Sequence, residues 1–190
     1  IDYKTFYKKR DSFSKKDFAI VSRISKSKNI EESIEGFLNS SASESGSILI
    51  IGGPLTNEDE DYYEYLLNIY KEHKNVSFIG PVPHSELVNY LKNVSFHINN
   101  TDKGFYDKSV LETSVNGIIN FYKNIDYDKN IPSKYQENLK FDGSPSDLSN
   151  KISSIFSLDQ NEFLEIIEHS QEEIKNESLD TLLKRITRVI

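Results

Sequence analysis

Val94-Ser95-Phe96-His97-Ile98, followed by Lys103-Gly104-Phe105-Tyr106-Asp107-Lys108-Ser109-Val110-Leu111-Glu112, decides the fold. The first run is apolar and reads as a strand; the second is a loop with a glycine that passes into a helical pattern. A strand, a loop and a helix in that order form the repeating step of an open α/β sheet, which binds ligands beyond the carboxyl ends of its strands. Here a glycine, basic residues, hydroxyls and a carboxylate meet at a helix start. The unpaired N–H groups of a first helical turn suit phosphate, and Glu112, one turn in, is placed to accept from a sugar hydroxyl. An ordinary surface loop with a charged first turn would look the same locally, so the weight falls on what surrounds it.

The same step repeats on either side. Phe18-Ala19-Ile20-Val21-Ser22 reads as a buried strand, and Ile30, Ile34, Phe37 and Leu38 follow at helical spacing, with Glu31, Glu32 and Glu35 on the other face. After a polar linker over 40–46, Ser47-Ile48-Leu49-Ile50-Ile51 is a strand stopped by Gly52-Gly53-Pro54. The spacing of Tyr62, Tyr63, Leu66, Leu67, Ile69 and Tyr70 predicts a helix over 58–74, ahead of a strand at Val76-Ser77-Phe78-Ile79-Gly80. Leu87, Val88 and Leu91, behind Pro83, predict a helix over 84–92. The helix over 109–116 stops at Gly117, a strand follows over 117–122, and Leu139-Lys140-Phe141 reads as a short edge strand. Helices are expected over 147–156, 161–175 and 178–189. The pattern is that of an α/β protein, a Rossmann-like three-layer sandwich with a parallel sheet and C-terminal helices.

Composition narrows the function. With 190 residues the chain can bury one good core. Thirty acidic against 23 basic side chains give a net charge of -7, which argues against a general nucleic-acid binder. There is no cysteine, so disulfides, thiolate metal sites and cysteine nucleophiles are excluded. No apolar run reaches the roughly 18 residues of a membrane span, and the start carries no signal-peptide pattern. The absence of methionine, even at position 1, reads as a chain that begins inside a longer one.

Arg23 and Lys28 lie five residues apart just past the first strand, where two cations can face one anion. A diphosphate leaving group needs such charges, because negative charge builds on its oxygens as the bond breaks. Gly52 and Gly53 would let a ligand approach the backbone, and Phe78-Ile79-Gly80-Pro81-Val82-Pro83 makes a rigid turn that could wall a base pocket. His97 in its strand and His84 at a helix start read as structural, since neither has a carboxylate or nucleophile partner nearby in the sequence. No serine-nucleophile elbow, P-loop lysine or metal-spaced histidine cluster occurs. The run Glu58-Asp59-Glu60-Asp61 reads as the negative first turn of a helix.

Taken in order, these segments resemble the C-terminal, nucleotide-sugar-binding domain of GT-B glycosyltransferases of the group 1 / family 4 type, the retaining group that includes sucrose and glycogen synthases. Ile1-Asp2-Tyr3-Lys4-Thr5-Phe6 is similar to the interdomain G-V-D-x-x-x-F segment. Val21-Ser22-Arg23-Ile24 through Lys28-Asn29 is similar to G-R-L-x-x-x-K-G, with Ser22 and Asn29 in place of the glycines. Ile50-Ile51-Gly52-Gly53-Pro54 resembles V-G-x-G-P, and Asn75-Val76-Ser77-Phe78-Ile79-Gly80 resembles N-V-x-F-x-G. The opening stretch resembles the E-G-F-G-x-x-x-L-E nucleotide motif in a variant form, G-x-x-D-K-x-V-L-E. Glu112 stands at the second glutamate, Gly104 falls at the spacing of the first, with Lys103 beside it, and Asp107 is the nearest acid.

The resemblance implies one half of a GT-B fold, with a lead segment over 1–17, a donor-binding domain over 18–158 and C-terminal helices over 159–190. It implies transfer of a sugar from a nucleotide diphosphate to an acceptor hydroxyl with retention and without a metal or other cofactor. Arg23 and Lys28 would hold the diphosphate as the catalytic cations. Gly52, Gly53, Gly80, Gly104, Phe105, Asp107, Lys108, Ser109, Val110, Leu111 and Glu112 would form the donor site, with Glu112 on the ribose and the N–H groups near Ser109 to Leu111 on a phosphate. A glycan or lipid-linked acceptor would sit against an N-terminal domain outside this chain, and no nucleic acid is expected. The setting implied is cytoplasmic glycan biosynthesis, with contact at the membrane surface left open. Two alternatives stay open: a non-catalytic nucleotide-binding or scaffold domain of the same fold, and an epimerase-like enzyme acting on nucleotide sugars.

Overall fold

The computed structural model describes residues 1–11 and 17–176; the helix expected over 178–189 lies outside the described residues. Five strands, β1 (Asp17–Val21), β2 (Ser47–Ile51), β3 (Val76–Gly80), β4 (Phe96–Asn99) and β5 (Ile119–Tyr122), form one parallel sheet in the order β3-β2-β1-β4-β5. They read as nearly continuous apolar runs because both faces of the sheet are covered. Phe18, Ile20, Ile48, Ile50, Phe96, Ile98, Ile119 and Phe121 point to one face, and Ala19, Val21 and Ile51 to the other.

The larger face is roofed by α2 (Ile30–Leu38), α3 (Asn57–Tyr70), α6 (Ser133–Leu139), α7 (Pro145–Ile155) and much of α8 (Gln160–Asn176). The smaller receives α1 (Tyr3–Phe6), α4 (Leu87–Tyr90) and α5 (Lys108–Val115). The lead and the C-terminal helix are both tied to α5. Gln171 Nε2 donates to the carbonyls of Lys8 and Val115, and Phe6 is fully buried.

Strand order turns at β1, since β2 and β3 lie on one side of it and β4 and β5 on the other. Phe18 and Phe96 face each other across this junction, with ring centroids 4.8 Å apart, and Phe96 is 5.6 Å from Phe121. The stacked Phe18–Phe96 pair, in a fully buried layer, fixes the spacing of β1 against β4. That junction is the topological switch point where open α/β sheets leave a crevice.

Several expectations need correcting. The helix expected over 84–92 is broken into a 3-10 turn at His84–Glu86, the single turn α4 and a second 3-10 turn at Leu91–Asn93. Pro81 and Pro83 fix the entry, and β4 must be reached quickly; a 3-10 turn rises more per residue than an α-helix and covers the distance. The edge strand at 139–141 is a single parallel bridge from Tyr122 to Lys140, because Leu139 is the buried last residue of α6. The sequence left α6 unread: its apolar signal is only Tyr135 and Leu139.

Candidate functional site

The loops after β1, β2 and β3 and the start of α5 surround an open cleft of about 570 Å³. Its walls include Arg23 and Lys28 after β1, Gly52, Gly53, Pro54 and Leu55 after β2, Pro81, Val82 and His84 after β3, and Asp107, Lys108, Ser109 and Glu112 at α5. Gly80, Gly104, Phe105, Val110 and Leu111 are not in its lining. Gly104 donates its N–H to Asp126 Oδ2 at 3.1 Å, Phe105 its own to the Asp102 carbonyl, and Val110 and Leu111 are buried in the core.

Close backbone approach builds the floor. Ile24 N–H donates to the Gly53 carbonyl and Ser22 N–H to that of Ile51, so the first two loops run side by side. At Gly52 a Cβ would lie 1.8 Å from the Ser22 carbonyl oxygen, and φ is +142°, so only glycine fits. Asn29 stands where the resemblance has a glycine, and it holds a left-handed conformation at φ 47° that asparagine tolerates. Its side chain donates to the Asn100 carbonyl at 2.8 Å, bridging the β1 loop to the end of β4 across the switch point.

The two cations differ. Arg23 is exposed and its side chain has no partner among the described residues. Lys28 is nearly buried, and its Nζ lies 2.6 and 2.9 Å from the two carboxylate oxygens of Asp107, whose side chain is 21% exposed. Asp107 also accepts from Asn99 Nδ2 at 3.0 Å, and its backbone N–H donates to the Tyr127 hydroxyl at 2.6 Å. Although Asp107 occupies the N-cap position of α5, its side chain makes no capping bond, which leaves the N–H groups of the first turn without that partner. Ser109 Oγ is buried there without a hydrogen-bond partner.

Glu112 is 7% exposed, and His84 Nε2 lies 2.9 Å from its Oε1; Oε2 has no protein partner among the described residues. No carboxylate near His84 in the sequence pairs with it; its partner stands 28 residues away on α5. The His84 ring lies 5.1 Å from that of Phe6, so the imidazole also touches the lead segment. A histidine following a proline-bounded turn at the mouth of a predicted crevice was the signal that could have found it.

Beneath α5 lies a buried polar cluster of His97, Asn120, Thr113 and Ser114. The Asn120 Nδ2 donates to Ser114 Oγ at 2.8 Å, so its Oδ1 is the acceptor for His97 Nδ1 at 2.7 Å. His97 therefore carries its proton on Nδ1, and Nε2 has no partner. Burial pushes its pKa down to about 4, outweighing the Asn120 hydrogen bond. A base depressed in the folded state keeps its full contribution above the unfolded value near 6.5 and loses it as pH falls through about 4. Stability should fall by up to about 3 kcal/mol across that window on this account. In denaturant titrations His97→Gln should flatten the acid slope whatever its effect at neutral pH; an unchanged slope would show that other groups set it.

No protein-family model and no curated protein matches the sequence. Solved structures do share the fold. The C-terminal domain of the glycosyl transferase group 1 family protein LpcC from Francisella tularensis is 18% identical, with 93% of this chain and 97% of that chain covered at a TM-score of 0.73. The catalytic domain of cholesterol-alpha-glucosyltransferase from Helicobacter pylori is 20% identical, covering 87% of this chain and all of that chain at 0.70. Anabaena HepE, solved in complex with UDP, is 15% identical; the match covers all of this chain but 55% of HepE, at 0.77. The chain thus spans about half the length of HepE. Its five-stranded parallel sheet with flanking helices matches the C-terminal domains of GT-B group 1 glycosyltransferases.

Proposed function

We propose that the chain is the donor-binding half of a glycosyltransferase that moves a sugar from a nucleotide diphosphate to an acceptor hydroxyl with retention at the anomeric carbon. The observation that carries this reading is the meeting of Arg23, Lys28, the open first turn of α5 and Glu112 around one cleft at the β1/β4 switch point. As the bond between sugar carbon and phosphate oxygen breaks, its electron pair stays on the diphosphate. Arg23 and Lys28 stabilise that charge in place, and they supply it without a metal ion. The N–H groups at the start of α5 and the unpartnered Ser109 hydroxyl suit the phosphate oxygens. Glu112 Oε2 accepts from the ribose while His84 holds Oε1. HepE, solved with UDP and with UDP-glucose, makes uridine the first base to test.

The reading places the acceptor, a glycan or a lipid-linked one, outside this chain. Among the described residues no helix is long and apolar enough to cross a membrane. Calorimetry with UDP, ADP and GDP tests the reading directly: binding of at least one is expected, and none binding to the full chain would sink it. Glu112→Gln should weaken the preferred ribonucleotide about five- to tenfold, the difference between a hydrogen bond to a charged acceptor and one to a neutral acceptor, and lose discrimination against the 2′-deoxy form. Unaltered discrimination in the variant would remove Glu112 from the ribose.

A further inference from the structure

Asp107 lines the cleft, yet it is an acid in a site built for an anion. Both of its carboxylate oxygens are on Lys28 Nζ, one of them also accepts from Asn99, and its backbone N–H is fixed by Tyr127. The carboxylate is therefore held from the β1 loop, from the end of β4 and from Tyr127 in the turn after β5. It has no slack to swing aside when a diphosphate arrives, and any ligand on Lys28 must share that ammonium with it. Lys28 is 10% exposed, so water screens this three-way contact poorly.

We propose that Asp107 is a positioning residue that sets the preference of the site between a sugar-bound and a free nucleoside diphosphate, a step that rests on the reading of the cleft as a nucleotide site. A diphosphate esterified to a sugar carries one negative charge on each phosphate. Once the sugar has left, the terminal phosphate gains a further charge near neutral pH, because its second proton leaves near pH ~6. The extra charge develops beside Lys28, where the fixed Asp107 carboxylate repels it. Through the shared lysine Asp107 opposes both ligands, and the spent product more than the donor. Sugar transfer thereby generates the ligand this site retains least.

The test is the affinity ratio of UDP to UDP-glucose, measured by calorimetry on the full chain and on Asp107→Asn, with ADP and ADP-glucose, and GDP and GDP-glucose, as parallel arms. Asparagine keeps the size of the side chain and removes its charge. The variant should bind the free diphosphate about tenfold tighter and the sugar ester about threefold tighter, so the ratio shifts about threefold toward the product. Asp107→Ser, which removes the charge with a smaller side chain, should shift the ratio the same way, and thermal melts of both report folding separately. A ratio unchanged in both variants, or free diphosphate bound more weakly, overturns the role of Asp107 while leaving the nucleotide site intact. Wild-type protein that binds none of the six ligands overturns the site reading and this assignment with it.

Discussion

Lys28→Ala should cost the protein twice, in folding and in ligand binding. Its ammonium is the nearly buried partner of Asp107 at 2.6 Å, and removing it leaves a carboxylate 21% exposed with only Asn99 on its side chain. Breaking a buried pair from one side costs about 3 to 5 kcal/mol when burial is complete, and the residual exposure of Asp107 brings the expectation to about 3. The same substitution should weaken the nucleotide diphosphate by roughly 1.5 to 3 kcal/mol, the scale of a charge-assisted hydrogen bond. Arg23→Ala is the control, for its exposed side chain has no protein partner: affinity should fall and the unfolding midpoint should stay put. Paired urea titrations and calorimetry separate the two costs. A Lys28→Ala protein with wild-type stability would mean the ion pair contributes nothing to the fold; one with wild-type affinity would remove Lys28 from the diphosphate.

Gly52→Ala should be the most damaging single change outside the hydrophobic core. A methyl group there meets the Ser22 carbonyl oxygen at 1.8 Å, and the backbone stands at φ +142°, a region closed to side chains. Neither strain can relax without parting the β1 and β2 loops, which are joined by the Ile24 to Gly53 and Ser22 to Ile51 hydrogen bonds. A loss of about 4 kcal/mol or more is expected, at the far end of the range for point substitutions. The unfolding midpoint reads it. Gly80→Ala is the contrast, because a Cβ there meets nothing within 4 Å and only its φ of +81° resists. Equal losses at the two positions would show that conformation, and not the contact with Ser22, is what matters.

The five strands were legible because each is a short apolar run, and local composition is enough to mark that; β4 and β5 begin two residues later than the runs at 94–98 and 117–122, and the run at 139–141 is a single bridge. The places of Arg23, Lys28, Gly52 and Gly53 beyond β1 and β2 were legible in the same way, since the carboxyl end of a strand is a position the sequence reveals, and they share one cleft with Glu112 of α5. Partnerships were not legible. Lys28 and Asp107 are 79 residues apart, and His84 and Glu112 are 28 apart; the first pair meets because β1 and β4 are neighbours in the sheet, and the second because the turn after β3 reaches α5. The broken helix after Pro83 was misread because its apolar spacing is helical, while its pitch is set by the gap it must span. Asn29 shows the reverse: a departure from the glycine of the resembling motif that keeps its left-handed backbone and adds a bridge to Asn100.

The pairing of Phe18 with Phe96 has a consequence for how the molecule is assembled and assayed. The two rings belong to strands separated by about two fifths of the chain, and all of α2, β2, α3, β3 and α4 lies between them. Closing so long a loop is entropically slow, so the β1–β4 junction should form late in folding. The cleft above it then exists in the native state and in no earlier partly ordered form. A ligand of this cleft has nothing to bind in the unfolded ensemble and should raise the melting temperature by an amount that grows with the logarithm of its concentration above Kd, which makes thermal shift a direct screen for donors.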